Sequence, residues 1–248
     1  MKTNEEIVVI NKKWSICALS ALLFQLQSHS VNAEHLSGIN KLVFHDHQYN
    51  KAFVGNGFLI THNDKVYAVT VKHALLEAKT PTMASVSIEE HVKNWTIHPN
   101  KQPDNAVRLG KLLNQDDTEK LDMQVLQKDW LVFEVESNQS DLKVLSLRNS
   151  PLKKGETLTA FGCSYANAER CSQDEYTGEF LKKDGANLRI TMNDLQLSEL
   201  RGLSGSPVLD ESGKLVGIVS NVMRSESGDG FDFAPANLDY LKQVLATL

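Results

Sequence analysis

From Lys41 onward the chain breaks into short apolar runs that alternate with polar residues and stop at clusters of Gly, Asn, Asp or Ser: KLVFH, GFLIT, KVYAVTV, SVSI, DWLVFEV, KVLSL, TLTAFG, LRITM and KLVGIVS. A period of two turns one face of an extended segment toward a core, and runs this short cannot form stable helices of their own. The pattern predicts an all-β body. One stretch departs from it. In NLDYLKQVLAT, residues 237–247, Asn237 can cap a helix whose Leu238, Leu241, Val244 and Leu245 share a face, with Pro235 just ahead. A second, shorter helical turn is expected in ALLEA after His73. Between Ile88 and Gln127 polar residues dominate, Pro99 and Pro103 interrupt and Asp116-Asp117 mark a turn, so this stretch reads as inserted loops or a crossover between two halves.

The N-terminus has its own layout. Trp14 to Leu26 is a short, mostly apolar run preceded by Lys12-Lys13 and followed by Val31-Asn32-Ala33. A basic flank, an apolar stretch of about a dozen residues and small residues at the last and third-last positions describe a secretory signal peptide over residues 1–33, cleaved after Ala33. The run is shorter than the roughly 20 residues of a membrane span, and no second segment approaches that length. The chain is therefore expected to be secreted or periplasmic, with no stable membrane span after cleavage. An uncleaved signal anchor is the alternative, because Glu5 and Glu6 lie in the flank.

Export makes the cysteines readable. Cys17 leaves with the signal, and Cys163 and Cys171 remain as an even pair in an oxidising compartment, which suggests one disulfide closing a small loop. Two free thiols are the other reading. The pair has no nearby histidine, too few soft ligands for zinc, and no motif in the chain implies a metal or an organic cofactor. With a net charge of −5 and no basic stripe, nucleic acid is not an expected partner.

The chemistry is concentrated in GLSGSP, Gly202 to Pro207. A serine hydroxyl is a weak nucleophile at neutral pH and needs a base to take its proton and donors to hold an oxyanion. Glycines two before and one after Ser204 let the backbone turn tightly enough for the N–H groups of Gly202 and Ser204 to converge, and Pro207 stiffens the exit. The segment resembles the Gly-Asp-Ser-Gly-Gly-Pro signature of trypsin-like (chymotrypsin-fold) serine peptidases. Chain order sharpens the resemblance, because all eight histidines lie at or before His98, so any base for Ser204 comes from upstream. That excludes the Ser, acid, His order of the α/β-hydrolases and leaves His, Asp, Ser.

Thr70-Val71-Lys72-His73-Ala74 ends the second of two strands joined by a His-Asn-Asp turn and is similar to the family's Thr-Ala-Ala-His. His73 is therefore the candidate base, while His35, His45, His47, His62, His91 and His98 read as surface residues. Asp129, opening DWLVFEV, looks like the family's Asp-Ile-Ala-Leu segment and is the candidate acid, with Asp122 in LDMQVL as its rival.

Over roughly residues 40 to 240 the resemblance implies two packed six-stranded antiparallel β-barrels, approximately 40–135 and 140–235, a C-terminal amphipathic helix and a peptidase domain over 34–248. It implies a protein or peptide substrate cleaved through an acyl-enzyme, with Ser220, Asn221 and Val222 pairing with the peptide and edging the specificity pocket, and Ser198 near its floor. Without a buried acid there, Lys and Arg are disfavoured, and Val222 suggests a small or medium apolar side chain before the scissile bond. Three departures stand out. Leu203 replaces the aspartate that binds a new N-terminus in many relatives, so no such ion-pair switch is expected. Ser206 replaces a glycine, a position that varies in secreted bacterial branches of the family. Glu34 to Asn40 could be a short propeptide. An inert binding module on the same fold, or an esterase using the same residues, are the competing readings.

Overall fold

The computed structural model describes residues 34–191, 197–226, 228 and 230–248. The signal sequence expected over 1–33 lies outside the described residues.

Residues 34–248 form one compact unit, in which twelve of the fifteen strands among the described residues build two closed barrels. The first half supplies β1 (Gly38–Phe44), β2 (Asn56–His62), β3 (Lys65–Thr70), β4 (Ser85–Val86), β5 (Val92–His98), β6 (Val107–Leu112), β7 (Asp116–Lys120) and β8 (Leu131–Asn138). Six of these close in the order β1-β5-β6-β8-β3-β2 and back to β1, all antiparallel, while β4 and β7 make a two-stranded flap. β9 (Val144–Leu145) runs parallel to β2 on the barrel's outside. The second half supplies β10 (Thr157–Gly162), β11 (Asp174–Asp184), β12 (Asn187–Thr191), β13 (Pro207–Asp210), β14 (Leu215–Arg224) and β15 (Phe231–Asn237), closed in the order β10-β11-β12-β15-β14-β13. Three short helices, α1 (Ala74–Ala78), α2 (Leu197–Leu200) and α3 (Asp239–Leu245), complete the unit. The all-β, two-barrel architecture expected from the resemblance is present.

Local chemistry explains the connections. Asn63 and Asp64 join β2 to β3 with φ of 48° and 60°, the left-handed pair that a two-residue hairpin requires and that Asn and Asp tolerate. Phe58, Ile60, Ala68 and Val69 on this hairpin pack with Trp95, Ile97, Trp130 and Phe133 in the first core, which also receives Leu241, Val244 and Leu245 of α3. A separate cluster built on Leu158, Phe180, Ile190, Val208 and Phe233 fills the second barrel. Asn237 lies at the end of β15 rather than in α3, yet its Oδ1 accepts from the Asp239 N–H at 2.9 Å, so it serves the helix start from outside.

Several expectations need correction. The stretch 88–127 is not loop: it carries β5, β6 and β7, and β5 and β6 are barrel strands whose Trp95, Ile97, Val107, Leu109 and Leu112 face the core. Residues 34–40 pack against the rest of the unit: Asn40 is fully buried in β1, Gln173 Oε1 accepts from the N–H groups of Leu36 and Ser37, and Lys143 pairs with Glu34. His35 and His98 are buried, His35 facing Asp141 at 3.0 Å and His98 donating from Nδ1 to the Pro99 carbonyl at 2.9 Å. Both are structural histidines.

Candidate active site

His73 lies three residues past the end of β3 and immediately before α1, so its backbone is set between a first-barrel strand and a helix start. Asp129 stands two residues before β8, which pairs with β3, and this pairing brings the aspartate beside His73 although 56 residues separate them. Ser204 lies in the turn between α2 and β13 of the other barrel, 131 residues from His73. The three meet. The Ser204 Oγ–H donates to His73 Nε2 at 2.7 Å, and the His73 Nδ1–H donates to Asp129 Oδ2 at 2.6 Å. Asp129 also accepts from the His73 backbone N–H at 2.9 Å and from the Ser220 hydroxyl. Asp129 is 1% exposed and its carboxylate thus sealed from water, accepting from three protein donors.

Asp122 is elsewhere. It is exposed and caps the 3-10 turn Met123–Lys128 by accepting from the Gln124 N–H at 2.8 Å, which is why its apolar run stops short.

Electrostatics bias His73 toward accepting a proton. Burial by itself disfavours the imidazolium, but the charge and hydrogen bond of Asp129, with Glu77 one turn further along α1, outweigh it and raise the pKa above the ordinary 6.5. The carboxylate on Nδ1 also selects the tautomer whose Nε2 lone pair faces the serine. A hydroxyl, a base and a buried acid in this chain can shift a proton away from Oγ as it attacks an electrophile.

The backbone around Ser204 is shaped by two glycines. Gly202 has φ +92° and Gly205 φ +85°, and a Cβ at Gly202 would fall 2.6 Å from Tyr165, at Gly205 1.9 Å from the Asn56 carbonyl oxygen. No other residue fits at either position. Among the described residues the N–H groups of Gly202 and Ser204 have no intramolecular acceptor, whereas those of Leu203, Gly205 and Ser206 bond to Leu200, Val219 and Leu203. Two free donors flanking the hydroxyl are what an oxyanion needs. Leu203 points away, fully buried in the second core. Ser206 is fully buried as well, its hydroxyl without a partner against Gly162, where any side chain would collide.

The residue that sequence reasoning missed is Asn56 of β2. Its N–H donates to the Ser204 carbonyl at 2.6 Å, its Nδ2 to the carbonyls of Gly202 at 2.7 Å and Cys163 at 3.0 Å, and its Oδ1 accepts from the Cys163 N–H at 3.1 Å. Behind it, Thr70 Oγ1 donates to the Asn56 carbonyl, and Asn40 Nδ2 reaches the same carbonyl while its Oδ1 accepts from Trp95 Nε1 at 2.9 Å. A fully satisfied polar network thus runs from the first barrel's core to the turn bearing Ser204. The only signal in the sequence is a polar residue between two glycines, Gly55-Asn56-Gly57.

Beside Ser204 a pocket of about 300 Å³ opens, with Val219, Val222, Phe233 and Leu200 as apolar walls and Ser220, Asn221 and Arg201 as polar ones. β13 pairs with β14 only as far as Ile218, so from Asn221 onward β14 has β15 on one side and, among the described residues, an open edge on the other. An extended peptide can add there as a strand. Ser198 is exposed on α2 and does not line this pocket, because the chain turns inward only at Leu200. Cys163 and Cys171 form a disulfide. Its loop carries Tyr165, whose N–H holds the Arg201 carbonyl at 2.8 Å and whose hydroxyl donates to Glu77 at 2.9 Å.

The family model for the trypsin-like peptidase domain matches residues 55–218, which include His73, Asp129 and Ser204. The chain belongs to the trypsin-like peptidase family. It is accordingly a serine-type endopeptidase by family, with peptide bonds as the substrate class. Among solved structures, this trypsin-like peptidase is similar in fold to a Glu endopeptidase (14% identity, TM-score 0.54, covering 87% of this chain and 93% of that one). It is similar also to the thermostable serine protease AL20 from an extremophilic microorganism (13% identity, TM-score 0.59, 86% and 96% covered). A serine endoprotease from Yersinia pestis shares the fold at 16% identity and TM-score 0.52, with 86% and 62% covered. A sequence search of curated proteins found no match. Among the described residues no cluster of His, Cys, Asp or Glu could hold a metal, and no helix is long and apolar enough to cross a membrane.

Proposed function

We propose that the chain is an exported endopeptidase in which Ser204 is the nucleophile, His73 the general base and then acid, and Asp129 the group that orients and stabilises the imidazolium. As Ser204 Oγ attacks the scissile carbonyl, its proton passes to His73 Nε2, and the carbonyl oxygen, now negative, is received by the N–H groups of Gly202 and Ser204. His73 then gives the proton to the leaving amine, the C–N bond breaks and an acyl-enzyme remains. Water repeats the sequence, losing a proton to His73 as it attacks, and collapse returns that proton to Ser204. The observation that carries the reading is the unbroken pair of short contacts, 2.7 Å from Ser204 Oγ to His73 Nε2 and 2.6 Å from His73 Nδ1 to Asp129.

The apolar walls formed by Val219, Val222 and Phe233 favour a small or medium apolar side chain before the scissile bond, with Ser220 to Val222 pairing to the peptide backbone. Among the described residues no carboxylate lines the pocket to recruit Lys or Arg. Export is supported by the layout of residues 1–33 and by the disulfide, a bond that persists in oxidising compartments. Leu203, buried, offers no charge for a new N-terminus, so activation proceeds without that ion pair.

Fluorophosphonate labelling of wild type, Ser204→Ala and His73→Ala, followed by digestion of casein, tests the roles. Labelling and casein cleavage confined to the wild type support them, and labelling of Ser204→Ala rejects them. N-terminal sequencing of the exported chain tests cleavage after Ala33.

A further inference from the structure

The pocket beside Ser204 has one charged residue in its lining, and it is a cation. Arg201 immediately precedes Gly202, and its carbonyl is tied to the Tyr165 N–H at 2.8 Å, so its backbone is held at the pocket by the same turn that forms the candidate oxyanion site. Its side chain is exposed and, among the described residues, has no carboxylate within ion-pair distance. Arg148 and Arg189, elsewhere in the second half of the chain, are each answered by two carboxylates, Glu156 with Asp210 and Asp184 with Asp232. A guanidinium with no carboxylate partner among the described residues, beside a strand edge open to peptide, can take that partner from a substrate.

We infer that Arg201 is a specificity-determining residue that selects substrates with a carboxylate side chain close to the scissile bond. The inference rests on the peptidase reading above and adds to it a charge requirement that the apolar walls alone do not set. The planar fork of arginine can accept a carboxylate through two parallel hydrogen bonds, which a lysine's single ammonium does not reproduce. Range matters here. The chain as a whole carries −5, so its long-range field opposes an acidic substrate, and the preference is confined to the one substrate position that lies within contact distance of the guanidinium. Because Arg201 is exposed, the gain is modest and sensitive to salt.

The test uses the purified full chain and a panel of internally quenched peptides, otherwise uncharged, in which Glu replaces Gln at one position at a time on both sides of the cleaved bond. For wild type the Glu/Gln ratio of kcat/KM should reach about fivefold at one position in low salt and fall toward one in high salt. In Arg201→Gln the ratio should be near one everywhere, in Arg201→Lys it should be partly kept, and in Arg201→Glu the same position should favour Lys over Gln. Reading ratios rather than rates keeps the result independent of any effect of the substitutions on the neighbouring turn. Labelling and cleavage with flat wild-type ratios, or a Glu preference unchanged in Arg201→Gln, would overturn this inference alone. A wild-type chain that neither labels with fluorophosphonate nor cleaves any peptide would overturn the peptidase reading and this inference with it.

Discussion

Asn56 of the first barrel holds Ser204 of the second: the N–H of one donates to the carbonyl of the other at 2.6 Å, while the Asn56 amide grips the neighbouring Gly202 carbonyl at 2.7 Å. With the Gly202 carbonyl held by Asn56, the N–H groups of Gly202 and Ser204 have no acceptor among the described residues. Replacing Asn56 by Ala leaves buried carbonyls at Gly202 and Cys163 without donors. On the order of 3 kcal/mol of stability should be lost, and kcat should fall at least about tenfold with a smaller change in KM. Asn56→Asp should be worse than Asn56→Ala, since a carboxylate cannot donate to either carbonyl. Urea unfolding and steady-state kinetics on the three proteins check this, and an Asn56→Ala enzyme with wild-type kcat would refute it.

The acid limb of activity reports His73. Asp129 and Glu77 raise its pKa above 6.5, and the protonated imidazole cannot take the serine proton, so kcat/KM should rise with pH through a value above 6.5. The same shift has a sign for stability: the imidazolium is favoured in the folded chain, so its contribution is full below 6.5 and is lost as pH climbs through the raised value. Asp129→Asn should lower the kinetic pKa and reduce kcat by orders of magnitude. A kinetic pKa below 6.5 in the wild type would contradict the electrostatic picture.

Ser206 buries a hydroxyl with no partner. An unpaired buried hydroxyl costs about 1 to 3 kcal/mol, so Ser206→Ala should raise stability by roughly 1 kcal/mol, visible as a higher thermal midpoint. Fluorophosphonate labelling should persist, because this side chain points at Gly162 rather than at the candidate oxyanion site.

The disulfide between Cys163 and Cys171 closes a short loop. Replacing both by Ala should cost about 2 to 3 kcal/mol. It should also slow labelling, because Cys163 bonds Asn56 and Tyr165 in that loop bonds Arg201. Equal labelling rates at temperatures where both proteins are folded would separate the loop from the active site.

The residues proposed for the chemistry are the most legible in the sequence, since a serine between two glycines, a histidine near the end of a strand and an aspartate before another are local patterns. Chain order then did as much as any motif. The supporting shell was hidden. Asn56 and Asn40 are polar residues that look like turn signals, and their burial depends on partners up to 146 residues away that no local pattern reveals. β5 and β6 read as loop in the sequence because Asn94, Thr96, Arg108 and Lys111 interleave their apolar residues and Pro99 lies between the two strands, masking the alternation of Trp95 with Ile97 and of Val107 with Leu109. β11 gave no signal at all: of its eleven residues only Phe180 is buried. Such a strand is recruited by its neighbours through backbone pairing rather than specified by its own apolar pattern. The resemblance puts Ser198 near the pocket floor, but Ser198 is exposed on α2 and only Leu200 and Arg201 of that stretch reach the pocket.

The proposed activation of Ser204 by His73 is tested by the rate of fluorophosphonate labelling as a function of pH, with tandem mass spectrometry of the labelled peptide. The expected result is one adduct on Ser204, formed with a rate that rises through a pKa above 6.5 and falls by several orders of magnitude in His73→Ala. An adduct on another residue, or labelling of His73→Ala at the wild-type rate, would contradict it.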